Sequence, residues 1–176
     1  MRVAVSGAHR TGKTTLIEQL SGVVAGYATF DEPYRLLEAD GYEFSDPPAL
    51  EDFEQQLQCS LEIIAEAPRR ALIDRCPLDF LAYMQAIDPD VAVDSWLDDV
   101  REAVEALDLI VMVPIERPDR IVIGRDEHPR LRRRVDELLH TLVLEDSLGF
   151  GAEVLEVSGS LDDRIRAVVA ALHDHS

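Results

Sequence analysis

The chain has 176 residues, 47% of them hydrophobic, which suits one domain with a sizeable core and excludes an intrinsically disordered chain. Its formal charge of −18, from 17 basic and 35 acidic residues, argues against nucleic-acid binding, because such a surface repels phosphate backbones. No apolar run reaches the ~18 residues of a membrane span, and two cysteines, Cys59 and Cys76, outside any C-x-x-C pair, cannot build a disulfide framework, so a reducing cytoplasm is expected.

Arg2-Val3-Ala4-Val5 reads as a short buried strand, and its start at residue 2 leaves no room for a targeting peptide. Gly7-Ala8-His9-Arg10-Thr11-Gly12-Lys13-Thr14 follows it, a Gly, four residues, then Gly-Lys-Thr. Leu16, Ile17, Leu20, Val23 and Val24 recur at helical spacing, in a helix ending near Gly22–Gly26. Tyr27 to Phe30 reads as a second strand running into Asp31-Glu32-Pro33, and Tyr34 to Ala39 as one or two helical turns. Asp40-Gly41 and Asp46-Pro47-Pro48 mark a loop. A longer helix carries Phe53, Leu57, Leu61 and Ile64 on one face and stops at Pro68. Its Gln55, Gln56 and Gln58 read better as a wet face than as readers of a base.

Arg70 to Asp74 is the predicted third strand, with Pro77 in the first turn of the next helix, whose apolar face is Leu78, Leu81, Met84 and Ile87. Asp94 reads as the cap of a helix carrying Leu97, Val100, Val104 and Leu107. Leu109-Ile110-Val111-Met112-Val113 is the clearest buried strand. A helix is expected over Arg117 to Ile123, broken by Gly124 to Pro129. Another carries Leu131, Val135, Leu138, Leu139 and Leu142 and ends at Gly149 or Gly151. Val154 to Val157 is the last strand, and Ser160-Leu161-Asp162-Asp163 is a start signal for the last helix. Strands alternate with helices, and three are unbroken apolar runs. The expectation is an α/β fold, a parallel sheet covered on both faces, in a single domain over 1–176.

Ligands of such sheets sit beyond the carboxyl ends of the strands. The glycine loop there can turn successive N–H groups toward anionic oxygens, helped by the positive end of the next helix. That assigns Gly7, His9, Arg10, Thr11, Gly12, Lys13, Thr14 and Thr15 to a nucleoside triphosphate, with His9 a spacer. Lys13 is the only lysine in the chain; its compact ammonium suits the β and γ phosphates, and the Thr14 hydroxyl suits Mg²⁺. Asp74, at a strand end, is placed to hold Mg²⁺ through water, with a helix cap as its alternative role. Glu32 is the candidate general base for a substrate hydroxyl, with a solvated loop carboxylate as the plainer reading. Arg75 either clamps the acceptor or holds Glu32 by an ion pair. Seven arginines fall between Arg117 and Arg134. The segment of about 117–134 reads as a lid that closes Arg120, Arg125 and Arg132 over the phosphates, or else as a basic helix face.

On these residues the chain resembles the P-loop kinases of nucleosides and nucleotides: deoxynucleoside kinases, thymidylate kinases and the nicotinamide riboside kinase type. Glu32-Pro33 is similar to the Glu-Pro carrying the deoxynucleoside kinase base. Asp74-Arg75-Cys76 is similar to their Glu-Arg-Ser and to the Asp-Arg of thymidylate kinases, departing at Cys76, where a hydroxyl residue is usual. Arg125-Asp126-Glu127 with Leu138-Leu139-His140 resembles their lid and lid helix, and the glycine loop is nearer the nicotinamide riboside type. The resemblance implies a three-layer fold with a five-stranded parallel sheet in the order 2-3-1-4-5, and adenine contacts near Ser158 and Gly159. It implies an ATP- and Mg²⁺-dependent phosphotransferase acting on a small-molecule acceptor, a nucleoside or nucleotide first. A nucleotide switch working through a protein partner, and a kinase of a non-nucleoside metabolite, are the alternatives. No nucleic-acid or membrane partner is expected, and a homodimer is compatible with all three.

Overall fold

The computed structural model describes residues 1–116, 118–119, 124 and 128–174. The strands are β1 (Arg2–Ser6), β2 (Ala28–Phe30), β3 (Ala71–Asp74), β4 (Leu109–Met112) and β5 (Val154–Glu156). Around them lie α1 (Lys13–Val23), α2 (Pro33–Ala39), α3 (Leu50–Glu66), α4 (Pro77–Ile87), α5 (Leu97–Glu105), α6 (Pro129–Leu139) and α7 (Leu161–Asp174). All strand pairs are parallel, in the order β2-β3-β1-β4-β5.

Successive residues of a strand point to opposite faces of the sheet, and here both faces are covered. Ala4, Ile110 and Met112 join a core with α3, α4, α5 and α6. Val3, Val5, Leu109 and Val111 join another with α1 and α7. That double burial is why β1, β3 and β4 read as unbroken apolar runs. β2 is at an edge of the sheet beside β3, and its Ala28 and Thr29 are exposed.

β1 lies between β3 and β4. The chain goes to one side of it for β2 and β3 and to the other for β4 and β5, so the crevice of the sheet opens at the carboxyl end of β1. The loop over residues 7–12 occupies it.

Two expectations about helices shift. Asp94 begins a 3₁₀ turn, Asp94–Trp96, without a side-chain cap bond, and α5 starts at Leu97. The helix expected to run to Gly149 or Gly151 begins at Pro129 and keeps α geometry only to Leu139. A π turn, His140–Leu144, follows it, with Glu145 N donating to His140 O at 3.0 Å. Asp146 then ties down the exit by accepting from the amides of Phe150 and Gly151. The helix expected over 117–123 falls mostly outside the described residues.

Candidate active site

The loop after β1 turns on two glycines. Gly7 has φ +147°, and a Cβ there would lie 2.4 Å from the Val113 carbonyl oxygen, so a side chain would clash with the exit of β4. Gly12, at φ +92°, is the N-cap residue of α1. Arg10 holds a left-handed φ of +55° without being glycine, a conformation that persists only where the surroundings enforce it.

Lys13 is 4% exposed, and its Nζ donates to Ala8 O at 2.8 Å. Burial, then the Arg75 cation, push its pKa from 10.5 down to about 8, against the pull of Asp74, Asp79 and Glu32. Thr14 Oγ1 donates to Asp74 Oδ2 at 2.7 Å. Asp74 is 2% exposed, and its second oxygen, Oδ1, is buried with no hydrogen-bond partner among the described residues. Burial raises the Asp74 pKa, with the Lys13 cation and the Thr14 hydroxyl opposing it. A hydroxyl beside a carboxylate with an orphaned oxygen is a hard-donor set that fits a hydrated Mg²⁺.

The start of α4, with Cys76 as its N-cap residue, is tied down by Asp79 rather than Asp74. Asp79 Oδ2 accepts from Cys76 N at 2.8 Å, while Oδ1 accepts from Gly7 N at 3.0 Å. One fully buried carboxylate thus joins the start of α4 to the start of the glycine loop. Cys76 is itself buried, which pushes its thiol pKa up and leaves it a poor nucleophile.

Glu32 sits at the start of α2, and its carboxylate lies 3.4 Å from Arg75 Nε and 3.7 Å from Arg35 Nε. Of the two roles expected of Arg75, the structure contains the ion pair. Arg75 Nη1 also donates to Gly7 O at 3.0 Å, and the guanidinium lies 5.3 Å over the Tyr83 ring. His9 is more than a spacer. Its ring stacks on Tyr83, its Nδ1 is 3.0 Å from the Tyr83 hydroxyl, and its backbone N–H donates to that hydroxyl at 2.9 Å.

These groups border a cavity of about 530 Å³ whose walls include His9 and Arg10 of the loop together with Glu32, Arg75 and Gln56. Aromatic pairs flank it, Tyr34 with Phe44 at 4.2 Å and Phe53 with Tyr83 at 4.7 Å between ring centroids. Gln55 and Gln58 lie on the wet face as expected, but Gln56 is 7% exposed and lines the cavity.

Ser158, exposed, and Gly159, at φ +88°, follow β5 and line a separate open groove with Pro114, Glu116, Asp136 and His140. Gly159 N donates to Glu116 Oε1 at 2.5 Å. Thr15 is exposed on the first turn of α1. Arg120 and Arg125 lie outside the described residues. Arg132 is 2% exposed and meets the glycine loop from its carbonyl side, with Nε 2.9 Å from His9 O, Nη2 3.1 Å from Arg10 O and Nη1 paired with Asp119.

Sequence reasoning missed Asp79, Tyr83 and Arg164. The spacing of Asp79, three residues after the N-cap Cys76, was a legible helix-start signal. Arg164 had none, because its partner Thr11 O is 153 residues away.

A family model described as an AAA domain matches residues 2–164. No curated protein matches the chain. Among solved structures, the NadR protein in complex with NR matches with 20% identity and a TM-score of 0.64, over 98% of this chain and 48% of that one, so the chain spans about half the length of NadR. Deoxyadenosine kinase from M. mycoides matches with 14% identity and a TM-score of 0.63 over the full length of both. Thymidylate kinase from Candida albicans matches with 15% identity and a TM-score of 0.62, over 98% of this chain and 91% of that one. At these identities the likeness establishes the fold, the three-layer arrangement with sheet order 2-3-1-4-5 that the resemblance implied.

Proposed function

This chain belongs to the AAA domain family, and from that premise we propose that it transfers the γ-phosphoryl of Mg²⁺-bound ATP to a small-molecule acceptor, a nucleoside's hydroxyl or a nucleotide's phosphate first. One observation carries this reading: a single roomy cavity is walled both by the glycine loop, at His9 and Arg10, and by the Glu32–Arg75 pair. A donor phosphate on the loop and an acceptor in the cavity would therefore meet.

The chain's own residues divide the work. Loop amides and Lys13 hold the β and γ phosphates, and Lys13 gains a counter-charge for its buried ammonium. Thr14 and Asp74 hold the metal, which when bound neutralises charge on the phosphates. Glu32 accepts the proton of the acceptor hydroxyl as the O–H bond breaks, the new O–P bond forms and ADP leaves. Arg75 keeps the Glu32 carboxylate aimed through the 3.4 Å pair. The aromatic pairs offer flat apolar walls to a planar ring, and Gln56 offers an amide nearby.

Thermal unfolding with Mg²⁺ and a non-hydrolysable ATP analogue, against nucleosides, nucleotides, sugars and other alcohols, tests the acceptor class. A true acceptor raises the melting temperature further by mass action. That compound should accept labelled phosphate from ATP with the unsubstituted protein and not with Lys13→Ala. Transfer undiminished in Lys13→Ala would refute the mechanism.

A further inference from the structure

Five consecutive carbonyls of the glycine loop, from Gly7 to Thr11, are each held by a side-chain donor. Arg75 takes Gly7 O at 3.0 Å, and Ala8 O is shared by Lys13 Nζ at 2.8 Å and Thr11 Oγ1 at 3.1 Å. The Arg132 fork spans His9 O at 2.9 Å and Arg10 O at 3.1 Å, and Arg164 Nη1 takes Thr11 O at 2.8 Å. Arg132 comes from α6 and Arg164 from α7, so two helices distant in sequence converge on one loop. Arg164 is anchored in turn by Nη2 on Glu116 at 3.1 Å and Nε on Gly159 O at 3.2 Å.

The peptide unit is planar and trans, so its C=O and N–H point in opposite directions. Turning the carbonyls of His9, Arg10 and Thr11 outward onto guanidinium groups turns the N–H groups of Arg10, Thr11 and Gly12 inward. Loops cradle phosphate with runs of inward N–H groups like this. The fork also explains how Arg10 holds φ +55° without being glycine, because both carbonyls flanking that turn are pinned by one rigid group. The geometry points to Arg132 and Arg164 as positioning residues that hold the phosphate cradle open from behind, through its backbone, without touching the phosphates. This rests on the triphosphate-binding reading above.

Calorimetric titration of the full chain with three probes in Mg²⁺ separates the alternatives: a non-hydrolysable ATP analogue, inorganic tripolyphosphate and adenosine. Arg164→Gln and Arg132→Gln should each weaken tripolyphosphate about tenfold or more, and Arg132→Gln should weaken the analogue by the same factor with adenosine unchanged. Arg132→Lys should not restore affinity, since an ammonium cannot fork across two carbonyls, and it decides the matter should a neutral variant fail to fold. Added methylguanidinium should recover tripolyphosphate binding in Arg164→Ala. Normal tripolyphosphate affinity in Arg132→Lys would overturn the inference in favour of a direct charge contact. Weakened adenosine with unchanged tripolyphosphate in Arg164→Gln would overturn it in favour of a base-side role. Equal loss of all three probes with a lowered melting temperature would overturn it in favour of general support of the fold. An unsubstituted protein that binds neither analogue nor tripolyphosphate removes the triphosphate reading itself.

Discussion

Lys13 is the residue on which the proposed chemistry turns, and its environment makes a measurable demand. Burial lowers its pKa from 10.5 to about 8 in the folded protein, so the unfolded chain holds that proton more tightly. Below pH 8 the buried ammonium therefore costs stability, on the order of 3 kcal/mol. The penalty lifts as pH rises from about 8 to 10.5. Urea unfolding of Lys13→Met against the unsubstituted protein should show the variant more stable below pH 8, with the gap closing toward pH 10.5. A gap independent of pH would show that the lysine is not strained by burial. A bound triphosphate should also raise the Lys13 pKa, so titrations near pH 8.5 in buffers of different ionisation heat should reveal proton uptake. Lys13 was legible from its motif and from being the chain's lone lysine. Its partners were less so. Asp74 could be located at a strand end, but its orphaned oxygen depends on which atoms surround it in space.

At the scale of elements, α4 does the most to connect the layers of the site. Its Asp79 bonds both the helix start and the amide of Gly7, and Tyr83, one turn further on, reaches His9. Asp79→Ala leaves two buried N–H groups unpaired, which should lower stability by about 1–3 kcal/mol in urea unfolding. A change within error would mean that other groups or water satisfy those amides. β1, β3 and β4 were legible because burial on both faces leaves an unbroken apolar run. The end of α6 was not. Nothing in Leu139-His140-Thr141 marks the change from α to π bonding, which is set by how the segment packs and by the Asp146 exit. The final helix fared better, because Ser160 and Asp163 cap each other's amides within four residues.

For the molecule as a whole, a charge of −18 means that the folded state works against its own repulsion. Exposed pairs such as Arg134 with Glu137 offset little of it. Raising NaCl from ~10 mM to ~1 M shrinks the screening length from about 30 Å to about 3 Å and should raise the melting temperature; a fall would mean that surface ion pairs outweigh the repulsion. Sequence alone determined the alternation of strands and helices, the glycine loop and the carboxylates at strand ends, because periodicity, backbone freedom and charge act over a few residues. Only the tertiary structure decided that Arg132 and Arg164 grip the loop carbonyls, that Asp79 rather than Asp74 ties down the start of α4, and that Gln56 lines the cavity. Each of these contacts joins a side chain to groups set beside it by packing, and no local pattern in the chain encodes which distant carbonyl a buried guanidinium will meet.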